Sequence, residues 1–171
     1  MDTAGFIAGL LLGAVPAALA FVVVGSVART VLPAPACQAL TGLAAVVLLA
    51  RELGLLAFPV PQNARLVPQL VAFTPVWGAV RFGAEMGTGM RTYSPTGLPH
   101  LVAVALFLLA SWPEALWAGA GFALGRTLPP LVLLPARDRR RADRALDSAV
   151  PALAWLFALL MAPLAAILVA T

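Results

Sequence analysis

The chain has 171 residues, 62% of them hydrophobic and 11% charged, and its net charge of +4 is carried by arginine without a single lysine. Soluble domains are roughly a quarter charged and under half apolar, and they need that polar surface. The composition and a mean hydropathy of +0.98 therefore exclude an ordinary soluble fold and point to an all-α, polytopic membrane helix bundle forming a single domain.

One cysteine and one histidine exclude an intrachain disulfide and leave too few ligands for a two-cysteine relay or a nitrogen–sulfur zinc site. No metal and no cofactor are expected. The basic excess lies largely in one short loop beside apolar runs. That pattern fits membrane orientation better than nucleic acid.

The first span is expected over residues 6–28. Asp2 and the absence of a basic leader make it a permanent span rather than a cleaved signal. The spacing Gly9-x-x-x-Gly13 lets another helix come close. Pro16, near the middle, is expected to kink the helix and free a carbonyl. Residues 30–35 form a turn with Pro33 and Pro35, and the second span follows over 36–58. Cys37 at its start reads as a small buried apolar residue. Arg51 and Glu52 point about 100° apart on a helix, so they need not pair with each other. Each either reaches the interface by snorkelling or plays an interior role.

Residues 59–75 carry four prolines with Gln62, Asn63, Arg65 and Gln69, and read as a connector outside the hydrocarbon. The third candidate span, 76–93, is marginal. Arg81 and Glu85 lie four apart on one helix face, close enough to pair, while Gly83, Gly87 and Thr88 open a narrow side towards a neighbour. Charges at mid-span cost about 2.5–3.5 kcal/mol each on insertion scales, so a mutual pair and partner helices have to compensate. Gly87-Thr88-Gly89 marks a point of distortion, and the run Ser94-Pro95-Thr96-Gly97-Leu98-Pro99 ends any helix.

The fourth span, 98–112, is short, with His100 near its start. Trp112 and Trp117 flank a turn at Pro113 and Glu114 and read as interface anchors. The fifth span, 115–134, contains Gly119, Gly121, Gly125 and Arg126, then Pro129 and Pro130. The stretch 136–147 holds five arginines against three aspartates and reads as a cytoplasmic loop. The last span is expected over 150–170, with the C-terminus outside.

Two topologies obey the arginine distribution. Six spans, in two groups of three suited to an inverted repeat, put both termini outside. Five spans, with 76–93 re-entrant or interfacial on the cytoplasmic side, put the N-terminus inside. Arginine counting does not separate them.

FGAEMGTGMRTY at Phe82 to Tyr93, followed after one apolar span by GAGFALGR at Gly119 to Arg126, resembles small actinobacterial membrane proteins. These are related to the transmembrane domain of cytochrome c biogenesis and thiol-reductant conducting proteins (the CcdA/DsbD type). The resemblance implies six helices in two inverted halves, akin to LysE-type exporters. Those conductors carry a cysteine beside proline on the first and fourth helices. Here Pro16, Pro95 and Pro99 have no cysteine beside them and Cys37 sits elsewhere, so the resemblance implies a fold and no thiol relay.

Functionally, the set Arg81, Glu85, Thr88, Arg91 and Arg126, beside helix breaks at Pro16, Pro95, Gly97 and Pro99, suits a transporter or exporter for a small anionic solute. The alternative is a non-catalytic subunit or assembly factor. Its charges and glycine faces would pack against a membrane protein partner or a second copy in the cell membrane. Ser94, His100 and Glu85 could supply a hydrolytic triad. No nucleophile elbow or phosphate loop accompanies them, so turn chemistry for Ser94 and capping for His100 account better for both, and no catalytic residue is assigned.

Overall fold

The structure is a computed structural model. It describes residues 3–60, 76–89 and 96–133, together with 144, 148–149, 152, 155–156, 158–163 and 166–167; for 129–133 it describes the backbone alone. The described elements are helices: α1 (Thr3–Arg29), α2 (Ala34–Glu52), α3 (Trp77–Gly87), α4 (Leu98–Leu108) and α5 (Trp112–Leu133). Residues 158–163 are also helical. The chain forms two compact units: Met1–Ala20 with Gln62–Tyr93 and Trp112–Ala136, and Phe21–Pro61 with Ser94–Ser111 and Arg137–Thr171.

α1 stays helical through Pro16, so the proline expected to kink the helix does not end it. A proline inside a helix removes one hydrogen bond, and here the helix continues for 27 residues regardless. Its buried positions recur at helical spacing: Phe6, Leu10, Ala14, Ala18 and Val22. Its outer face is equally apolar, with Leu12 63%, Val24 59% and Val27 68% exposed. α2 repeats the pattern, with Cys37, Thr41, Ala45 and Leu48 inside and Leu40, Leu43 and Val46 outside. Both helices are long and apolar enough to cross a membrane.

α2 ends at Glu52, six residues before the expected end at 58. The cause is Gly54, which takes φ +75. Leu55 N donates to the Ala50 carbonyl at 2.8 Å and Gly54 N to the Arg51 carbonyl at 3.0 Å. This paired closure satisfies carbonyls that the end of a helix leaves open, and it favours a residue without a Cβ. The chain then runs non-helically to Val60, which is buried with Ala45, Leu48, Leu101 and Met161 in the core of the second unit. The connector thus begins inside the core, and residues 61–75 lie outside the described residues.

α3 and α4 have 11 residues each, shorter than the expected spans 76–93 and 98–112. At a rise of 1.5 Å per residue each is about 16 Å long, roughly half the 30 Å hydrocarbon thickness. α3 ends where Gly89 takes φ +72, in the glycine-rich stretch expected to distort. α4 stops at Leu108, and the next helix starts at Trp112. Pro113 and Glu114 therefore sit in the first turn of α5 and not in a turn before it. Proline suits a first turn, where its missing N–H would be unpaired anyway, and a carboxylate there favours the helix dipole.

The first unit is held by a glycine seam. Gly9 and Gly13 of α1 lie against the backbone of Val80 and Ala84, while Gly83 and Gly87 of α3 lie against the Phe6 and Leu10 carbonyls. Positions rise together along both helices, so α3 runs parallel to the first half of α1. Around the seam, Phe6, Leu10, Ala14, Ala79 and Ala123 form the core, with Leu11, Phe82, Met86 and Phe122 packed on it. The Phe6 and Phe82 rings stack at 5.5 Å. In the second unit Gly25 lies against the Phe107 backbone, and Arg29 reaches the Ala110 carbonyl. α4 therefore runs parallel to the last turns of α1. It is antiparallel to α2, because Gly97 meets Leu48 and Glu52 while Leu101 packs with Ala45.

Candidate functional site

The first cluster lies in the first unit, on the face of α3 opposite the glycine seam. Residues 81 and 85 are each two positions from Gly83, which is 200° around a helix. Burying the glycines against α1 turns Arg81 and Glu85 away from it. Arg81 Nε lies 3.4 Å from Glu85 Oε1, with Arg81 75% exposed and Glu85 24%. That separation is long for a charge-assisted bond, so the pair is loose. The Thr88 hydroxyl donates to the Glu85 carbonyl at 2.9 Å, which closes the end of α3.

α5 adds a second cation to this unit. The Arg126 guanidinium stands 5.0 Å from the centre of the Phe122 ring, one turn earlier. The same ring lies against Gly89, where an added Cβ would stand 3.4 Å from Phe122 Cζ. The end of α3 and the middle of α5 are thus joined by an aromatic ring that carries a guanidinium. Two cations, one carboxylate and a hydroxyl thus lie on these two helices of the first unit. Arg91 and Pro95, expected at the same place, lie outside the described residues, as does Ser94.

The second cluster belongs to the second unit and surrounds Gly97 at the start of α4. The Glu52 side chain is 4% exposed. Its Oε1 accepts from Arg51 Nη1 at 2.8 Å and from the Gly97 N–H at 2.8 Å. The adjacent Arg51 and Glu52 do pair, which replaces the expectation that they need not. The 100° between them is bridged because the arginine folds back: its Nε donates to the Phe58 carbonyl at 2.9 Å and its guanidinium lies 5.8 Å over the Phe58 ring. Of the four N–H groups a helix start leaves open, Glu52 takes that of Gly97. Pro99 has none to satisfy, and His100 N donates to the Gly97 carbonyl at 3.0 Å. Gly97 and Pro99 therefore mark a break that is closed by a distant carboxylate.

At the other end of α4, Arg29 Nη1 donates to the Ala110 carbonyl at 2.6 Å and Nη2 to the Val22 carbonyl at 3.2 Å. A carboxylate stands at the positive pole of α4 and a guanidinium at its negative pole, the arrangement the helix dipole favours. Neither Glu52 nor Arg29 was among the expected site residues. Their partners lie 45 and 81 positions away, beyond any spacing rule. Cys37 is buried as expected, and its carbonyl accepts from the Thr41 hydroxyl at 2.9 Å. Among the described residues no group of three metal-binding side chains occurs.

No family model matches the chain, and no curated protein or solved structure matches it.

Proposed function

We propose that the chain is a multi-pass membrane protein with five crossings, in which neither α3 nor α4 is a full-length span, and that it carries a small anionic solute beside the charged residues of α3. The observation that carries this reading is the pair of half-length helices. Each is about 16 Å long, and neither is long enough alone to cross the hydrocarbon. Interrupted helices beside charged groups are a recurring way of building a solute site inside a bilayer.

Three further features support the reading. α1 and α2 have the length and apolarity of spans, and their outward faces are as apolar as their inward ones. A helix apolar all round belongs in a protein core or a bilayer. Trp77, at the start of α3, and Trp112 and Trp117, at the start of α5, are exposed, as interface anchors are. The resulting topology has five crossings. The N-terminus, residues 61–75 and the 136–147 loop are cytoplasmic, and the C-terminus is outside. It also leaves Arg29 as an outside arginine while Arg65 and the loop arginines are inside.

Arg81 and Arg126 against the single Glu85 favour an anion, with Glu85 the group that can take up a proton. The test is uptake of radiolabelled small carboxylates, phosphate and sulfate by proteoliposomes. Arg81→Gln and Arg126→Gln each lower uptake, and Glu85→Gln abolishes its dependence on a proton gradient. Uptake and proton dependence that survive all three substitutions refute the site.

One observation favours a second reading, a non-catalytic subunit of a larger membrane complex. Among the described residues, nothing lies within 4 Å of where a Cβ would stand on Gly121 or Gly125 of α5, a spacing suited to a further helix. Gentle solubilisation that recovers a stoichiometric partner, together with absent uptake, selects it over the transporter.

A further inference from the structure

We infer that Glu52 and Arg29 act as two independent charge latches on α4, and that Glu52 sets whether the chain break at Thr96–Gly97 is closed. The inference concerns residues outside the proposed solute site and does not depend on which solute is carried.

The starting point is the length of α4. Helices of 11 residues are marginal on their own, and α4 begins directly after a proline-rich break with no side-chain cap of its own. Closing its first turn is therefore left to a neighbour. The Glu52 carboxylate bonds to the Gly97 N–H at 2.8 Å, and Gly97 packs closely enough that an added Cβ would stand 3.0 Å from Leu48 Cδ2 and 3.4 Å from Glu52 Oε1. Thr96, in the break, is buried. The opposite end is held by the Arg29–Ala110 bond, and Ala110 is buried as well.

Among the described residues, few groups face Glu52. Arg51 pairs with it from the same helix, Gly97 and the dipole of α4 face it from the start of that helix, and His100 lies one turn further on. A carboxylate serves here better than a neutral amide would. It meets the positive pole of α4 and the guanidinium of Arg51 together, and charge-assisted bonds are roughly twice as strong as neutral ones. Neutralising Glu52 leaves the shape in place and weakens the hold on the break by about half. Neutralising Arg29 does the same at the far end only.

Hydrogen–deuterium exchange on the full chain in lipid nanodiscs tests this. Glu52→Gln is expected to speed exchange of the amides at 97–101 by about tenfold, with 106–111 unchanged. Arg29→Gln is expected to speed 106–111 and leave 97–101 as in the parent. Unchanged exchange in both variants overturns the inference. So does acceleration of both ends by either variant, because α4 would then be loosening as a whole rather than being latched end by end. Loss of uptake bears on the solute site alone, so the two readings fail separately.

Discussion

Adding one methyl group to Gly83 should force α1 and α3 apart. A Cβ built there falls on the Phe6 carbonyl oxygen, 2.9 Å from Leu10 N and 3.1 Å from the Gly9 carbonyl carbon, whereas ordinary contact begins at 3.4 Å. All three neighbours are backbone of α1, so no rotamer change relieves the overlap. The helices must separate by about 1 Å, and a gap of that size forfeits a quarter to a half of each contact's attraction. Overpacking of this kind costs about 1–3 kcal/mol, less about 1 kcal/mol because alanine is the better helix former. The expected net loss is up to about 2 kcal/mol, which is about 1–3 kcal/mol below a substitution that gains only the helix propensity. Gly125→Ala is the control, since among the described residues nothing stands within 4 Å of its Cβ, and it should gain up to about 1 kcal/mol. Unfolding by dodecyl sulfate in mixed micelles, followed by circular dichroism, measures both. A Gly83→Ala that shifts stability as Gly125→Ala does would refute the close packing of α1 on α3.

Two more outcomes follow from the geometry. Gly54→Ala meets no steric neighbour among the described residues, so its cost is that of the left-handed backbone, about 1–2 kcal/mol, read in the same unfolding assay; a neutral result contradicts the paired closure of α2. Arg81→Gln removes a loose and largely exposed pair and should change stability by under about 1 kcal/mol while lowering uptake. A large loss of stability instead would mean that the pair holds the fold together rather than serving a solute.

The parts of the fold that sequence spacing could show were those set by neighbours along one helix. Gly9 and Gly13, and Gly83 and Gly87, stood out as narrow faces because small residues four apart share a side. The structure joins these two faces to each other and adds their parallel direction, which spacing does not contain. Arg81 and Glu85 pair because four residues bring them onto one face. Glu52 and Gly97, or Arg29 and Ala110, meet through tertiary packing, and no local rule connects them. Gly54 was a legible signal that went unread: a glycine just after a charged helix end is a stop, and its apolar sequel through Phe58 resembled a continuing span. Pro113 looked like a breaker because proline ends helices from within, yet in a first turn it belongs to the helix that follows.

The five-crossing topology is tested most directly by the side on which the connector before α3 lies. Asn63→Cys in a Cys37→Ala background, labelled with a membrane-impermeant maleimide in intact cells and in inverted vesicles, reads that side. Five crossings place residue 63 with the 136–147 loop, so it should label in inverted vesicles and stay protected in intact cells. Labelling in intact cells would put the connector outside and make α3 and α4 separate crossings, contradicting the reading proposed for them.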